Sequence, residues 1–135
     1  MKDKLSEVYD SLIRNEYISS TTKITESDEY RIKFYEYPST GDKAGPMITI
    51  RPLKAQNDAY HGSDKELSIQ FWYQIDVEGT YRTTIKQIQS EIKKEMKKMG
   101  FAQSDGGLDE YFSDTKRYVD ARRYTGNTTI YDTEY

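Results

Sequence analysis

One histidine and two aspartates lie close together in the segment Asp58-Ala-Tyr-His61-Gly-Ser-Asp64. Imidazole beside carboxylate is the pairing from which a general base or a metal site can be made. A triad, however, needs nucleophile, base and orienting acid brought into contact by the fold, and neighbours along one loop do not supply that geometry by spacing. The same residues lack the ligand register of a calcium loop. His61 is the only imidazole and there is no cysteine, which removes His-pair and thiolate metal sites, disulfides and thiol catalysis. Gly106-Gly107 has no phosphate-loop pattern around it. Acidic pairs such as Asp109-Glu110 are not set in apolar sequence that would raise their pKa. Segment 58–64 therefore reads as an exposed loop turning at Gly62 and Asp64. The chain reads as a non-enzyme, with no catalytic residue, metal or cofactor.

Two other features concern binding rather than catalysis. Lys86, Lys93, Lys94 and Lys97, with Lys98 at the edge, share one face of a helical stretch. Residues 80–100 hold six basic and two acidic side chains, a local +4 in a chain of net −3. Such a face could meet phosphate or an acidic partner, but lysines opposite an apolar stripe are also what any solvated helix shows. Trp72 sits on the polar side of a strand, between Gln70 and Gln74. It is either covered by the C-terminal segment or available to a partner. Tyr35, Tyr37, Tyr118, Arg122, Arg123 and Tyr124 add similar character, and Trp, Tyr and Arg are enriched at the energetic centres of interfaces.

The elements that position these residues follow from periodicity. Leu5, Val8, Tyr9, Leu12 and Ile13 make one face of a helix from Asp3 to Arg14, with Asp3 as its cap. Residues 15–29 are polar and read as loop. Tyr30 to Tyr37 alternates as an aromatic strand ended by Pro38. Met47 to Arg51 is a strand bracketed by Pro46 and Pro52, and 54–65 is a second polar loop. From Glu66 to Glu78 the alternation is strict, with Leu67, Ile69, Phe71, Tyr73, Ile75 and Val77 on one side. Tyr81, Ile85, Ile88, Ile92, Met96 and Met99 fall within a stripe ~80° wide. This is a helix begun by Thr80 and ended by Gly100. Phe101 to Gly107 turns, Leu108 to Phe112 is ambiguous, and Arg117 to Tyr124 is a last strand. Residues 125–135 read as a C-terminal tail that is flexible or adds a short strand through Ile130. The order αβββαβ is a single α+β domain over 1–135, a mostly antiparallel or mixed sheet with two helices on one face.

Composition agrees with a small, polar, folded protein. Hydrophobic residues make up 35% and charged residues 32%, yet 13 Tyr, 4 Phe and 1 Trp argue against disorder. No stretch approaches the ~20 apolar residues of a membrane span, and no signal peptide opens the chain. A mildly acidic chain lacks the basic footprint usual for nucleic-acid binders.

The order of these features resembles the tail terminator (tail completion, head–tail joining) proteins of long-tailed bacteriophages of Gram-positive hosts. The residues that carry the resemblance are the helix Lys4 to Arg14, the aromatic strand ending Tyr37-Pro38 and the segment Pro46-Met-Ile-Thr-Ile-Arg-Pro-Leu53. After them come Gly62-Ser-Asp64, the strand Glu66 to Glu78, the helix closing at Gly100-Phe101 and the stretch Asp109 to Tyr124. The resemblance implies a structural virion protein that ends tail polymerisation as a ring, typically hexameric, in the neck. It implies contacts with the tail tube protein and a head completion protein, and DNA only passing through the lumen. Such a subunit can be monomeric in solution and assemble on its template, in the host cytoplasm and then in the virion. Tyr35, Tyr37, Asp42, Arg51, Asp58, His61, Asp64, Trp72, Arg122 and Arg123 form the candidate interface. Loops 38–46 and 54–65 are where neighbours are expected. Acids in those loops, such as Asp42, Asp58, Asp64 and Glu66, would repel passing DNA if they face the lumen. The alternatives are a nucleic-acid-binding accessory protein using the lysine face, a small enzyme using His61, and another head–tail connector.

Overall fold

In chain order the elements are α1 (Lys4–Arg14), α2 (Glu16–Thr22), β1 (Ile32–Phe34), β2 (Met47–Pro52), β3 (Asn57–Gly62), β4 (Lys65–Gly79), α3 (Arg82–Lys98), β5 (Phe101–Phe112) and β6 (Arg117–Asn127). The computed structural model describes residues 3–54, 57–62 and 65–127, with the backbone alone for 57–62 and 65–68. Beta-4 organises the rest because it is long and two-sided. Its alternation sends Ile69, Phe71, Tyr73, Ile75 and Val77 into the core and leaves Gln70, Trp72, Gln74, Asp76 and Glu78 on the other face.

The strands make one mixed sheet in the order β1-β2-β4-β6-β5, with β3 added to β4. Beta-2 pairs with residues 73–78 of β4 and β3 with residues 65–70, both antiparallel. Beta-6 runs antiparallel along the other side of β4, with Tyr124 opposite Tyr73 and Asp120 opposite Val77. Beta-5 closes that end as an antiparallel hairpin with β6. Only β1, parallel to β2, breaks the antiparallel pattern among the described residues. Pro46 and Pro52 fall outside the residues that β1 pairs, so neither is asked for a ladder hydrogen bond there.

All three helices contribute to one core against one sheet face. Val8, Leu12, Ile18, Ile85, Ile88, Ile92 and Met96 meet the inward side chains of β2 and β4, with Phe101 and Tyr124 at the β5–β6 end. Gln89 is also fully buried. Its amide donates to the carbonyls of Ile75 and Asp120 at 3.0 and 2.6 Å, stitching α3 to two strands. Gly100, at φ +87°, ends α3 in a conformation that disfavours side chains, as the sequence implies. No helix among the described residues is long and apolar enough to cross a membrane.

The α+β class and the helix-covered mixed sheet match the sequence reading, but the order αβββαβ with two helices does not. The observed order is ααββββαββ. Alpha-2 occupies part of the expected loop 15–29. Asn15 caps it by accepting the Ile18 amide at 3.1 Å, and its own amide donates to Glu91 and Glu95 of α3 at 3.2 and 2.9 Å. The strand expected over 30–37 stops at Phe34, because Tyr35 turns into the left-handed region at φ +69°. Beta-3 lies in the expected loop 54–65, and β5 fills the stretch 101–112 that reads as a turn and an ambiguous segment. Tyr81, not Thr80, holds the N-cap position of α3 and is 72% exposed, outside the stripe. Asp3 holds the N-cap position of α1, yet its carboxylate accepts the Ser6 hydroxyl at 2.7 Å rather than a backbone amide. Beta-6 runs to Asn127, three residues into the segment expected as a tail.

Candidate functional site

Among the described residues no helix covers the sheet face away from α1, α2 and α3, although Met47, Thr49 and Ala121 on it are buried. The middle of that face is a polar row crossing three strands. Arg51 donates to Asp76 at 2.7 Å, Gln74 donates to Asp76 at 2.9 Å, and Arg123 donates to Gln74 at 2.9 Å. These side chains line up because Arg51, Gln74 and Arg123 occupy one register line.

Beyond this row the face deepens into a groove of about 500 Å³. Thr49, Asp76, Glu78 and Val119 make its floor. Glu36 and Tyr37 stand on one side, and Phe112 with Asp114 on the other. One wall is held by the loop 38–46. The buried Arg31 donates to the carbonyls of Pro46 and Thr21 and to the Asp42 carboxylate, at 3.0, 3.1 and 3.4 Å. The Tyr37 hydroxyl donates to the Asp42 carbonyl, and Arg117 donates to the Lys43 carbonyl at 2.6 Å. Burial, and secondarily the Asp42 charge, raises the Tyr37 pKa against the lowering effect of Arg31 and Arg117, so this phenol stays protonated as a donor.

The other wall is the β5–β6 hairpin. Beta-5 is the outermost strand of its side, and after Phe101 nearly all its side chains are exposed. Leu108, Tyr111 and Phe112 are 39, 51 and 40% exposed, Leu108 and Phe112 on the groove side and Tyr111 on the helix side beside Tyr118. The ladder jumps from Ser104↔Arg123 to Gly107↔Arg122, a bulge at Gly106-Gly107. Gly107 has φ +112°, and a Cβ there would lie 2.2 Å from the Ala121 carbonyl oxygen. The Gly106-Gly107 pair thus shapes the strand.

On the inner side of the hairpin lies a compact charge cluster. Lys86 donates to Asp109 and Asp120, both at 2.5 Å, and Arg122 donates to Asp120 at 3.1 Å. Burial alone would lower the Lys86 pKa, but the hydrogen bonds and charges of the two aspartates outweigh it and raise the value. The hydrogen bond from Lys86 in turn lowers the pKa of Asp109. The cluster ties α3 to the hairpin and withdraws Lys86 from the lysine face. Lys94 and Lys98 are paired with Glu91 and Glu95 at 2.7 and 3.4 Å. Lys93 and Lys97 make no ion pair among the described residues.

The ten expected interface residues are therefore scattered. Arg51 and Tyr37 line the groove, and Arg123 lies on the same face. Trp72 is on that face too, farther along β4, with the Lys54 ammonium 4.5 Å from its ring centre. Tyr35 is 64% exposed and lines a separate small hollow with Trp72. Asp42 is a loop-closing residue, its carboxylate accepting from Arg31 and from the Ala44 amide at 2.9 Å. Arg122 points to the helix side, because it pairs with Ile75, whose side chain faces the core. Tyr118 and Tyr124 share that side, and Tyr124 is a core residue. Asp58 and His61 lie on β3, their side chains outside the described residues, and Asp64 lies outside them altogether. Sequence reasoning missed Glu36, Glu78, Leu108, Phe112 and Asp114. The acids at 36 and 78 flank strands already read correctly, so the signal for them was the side of the strand each one occupies.

Compared with protein-family models and with the curated proteins, the chain matches none.

Proposed function

We propose that this chain is a structural assembly subunit that caps a phage tail tube as a ring and forms part of the head–tail interface. The observation that carries the reading is the edge formed by β5 and its hairpin, apolar-tipped and unpaired among the described residues. A monomeric protein usually blunts such an edge, whereas an assembly subunit uses it. The opposite edge is the three-residue β1, beside the pinned loop 38–46, so the two ends of the sheet are unlike. Unlike ends suit heterologous contacts, which close into a ring when the rotation per subunit allows. Weak contacts then gain strength by repetition around the ring and against the tube.

The resemblance noted in the sequence supplies the context of tail tube, head completion protein and passing DNA. The bulge at Gly106-Gly107 and the acids Asp105, Asp109 and Glu110 limit indiscriminate strand addition to the edge. That restraint suits a subunit whose self-association is weak until high concentration or a template favours it.

The test is sedimentation over a wide concentration range, with negative-stain imaging of the densest sample and of the protein mixed with tail tubes. The reading expects rings of fixed subunit number, alone or on tube ends. A protein that remains monomeric throughout and leaves tube ends bare contradicts it.

A further inference from the structure

We propose that the groove on the outer sheet face receives the lysine face of α3 from a second copy of this chain. The inference rests on the ring-forming reading above and names the contact that would build the ring.

The groove has unbalanced negative charge over apolar surface. Of the cations in or beside it, Arg51 is held by Asp76, and Arg117 donates to the Lys43 carbonyl and pairs with Glu78 at 3.8 Å. Glu36 and Asp114, on opposite walls, are exposed and have no ion-pair partner among the described residues. Between them lie Val119, Leu108 and Phe112. This arrangement suits lysine, whose four-carbon stem covers apolar surface while its ammonium reaches an acid at the rim.

The chain carries such a ligand on its other side. Lys93 and Lys97 stand one turn apart on α3, with side chains ~6 Å from one another along the axis. Both are exposed and neither makes an ion pair among the described residues, in contrast to Lys86, Lys94 and Lys98. Alpha-3 covers the inner face of the sheet and the groove lies on the outer face. One molecule cannot join its own two patches, so the contact is heterologous, and each copy presents both halves of it. Opposite charge would steer the approach and fix the register.

The experiment uses two charge-reversed forms of the full chain. One carries Glu36→Lys and Asp114→Lys; the other carries Lys93→Glu and Lys97→Glu. All four side chains are exposed, and unchanged thermal unfolding of each form verifies the fold. Sedimentation is expected to show self-association of the parent chain that weakens with salt and is weaker by about tenfold or more in either reversed form. An equimolar mixture of the two forms is expected to assemble again, because each groove then meets a helix of opposite charge. Association that ignores both reversals, or is not regained on mixing, overturns the contact. A parent chain monomeric at every concentration its solubility allows overturns it too. Closed rings that ignore the reversals would sink this contact and leave the ring-forming reading standing. Open filaments that obey them would keep the contact and sink the ring.

Discussion

The two faces of the sheet share the same strands and are built on opposite principles. The helix side of β4 is Ile69, Phe71, Tyr73, Ile75 and Val77, all at most 6% exposed and covered by three helices. The other side is Trp72, Gln74, Asp76 and Glu78, of which Asp76 and Gln74 are tied sideways to Arg51 and Arg123, while Glu78 faces Arg117 and Trp72 faces Lys54. The first face derives its energy from burial, which is large and indifferent to partner. The second has half-buried ion pairs such as Arg51–Asp76, whose attraction is offset by the cost of taking the charges from water. The difference separates stability from recognition. The helix side holds most of the core, and the half-buried polar row on the other side is expected to tolerate substitution better.

Substitutions across the two faces can break this contrast. Ile75→Ala removes a fully buried side chain beneath α3 and is expected to cost about 2–5 kcal/mol in denaturant unfolding. Asp120→Ala removes the acid that Lys86 and Arg122 share, and a loss of about 1.5–3 kcal/mol is expected. Arg122 reads from sequence as an interface residue, so a large cost at Asp120, its partner, would mark this cluster as part of the fold.

Tyr124 sharpens the contrast through pH. It is 1% exposed, and burial pushes its pKa up to about 12 from the ordinary 10.0. The folded chain therefore keeps a proton that the unfolded chain releases near pH 10, so this contribution is intact below pH 10 and is lost as pH rises toward 12. Tyr124→Phe is expected to flatten the fall in stability between those limits. An unchanged profile would place the titration elsewhere. The smallest effect is expected on the outer face, where Arg51→Ala should change stability by under about 1 kcal/mol while disturbing the groove.

Beta-4 and α3 were legible in the sequence because each carries one uninterrupted period, of two and of 3.6. Alpha-2 was not, because its Ser and Thr residues suggest loop, whereas in the helix Thr21 and Thr22 satisfy their hydroxyls on the Tyr17 and Ile18 carbonyls. Beta-5 was not, because most of its side chains are exposed and it exists by pairing with β6, a contact that no local period records. The same limit explains the candidate site. Arg123 and Arg122 are adjacent in sequence, and only the pairing of β6 with β4 decides that one faces the groove side and the other the helices. Residue types that could serve an interface were visible in the sequence; the side of the sheet each would occupy was not.

The central claim is that the outer face, with the hairpin beside it, is the contact face. Hydroxyl-radical footprinting of dilute and assembled protein tests this most directly. The account expects Tyr37, Leu108 and Phe112 to become protected on assembly while the buried core residues stay unchanged. Assembly that leaves those three side chains as reactive as in the monomer, or that protects the exposed faces of α1 and α2 instead, would contradict it.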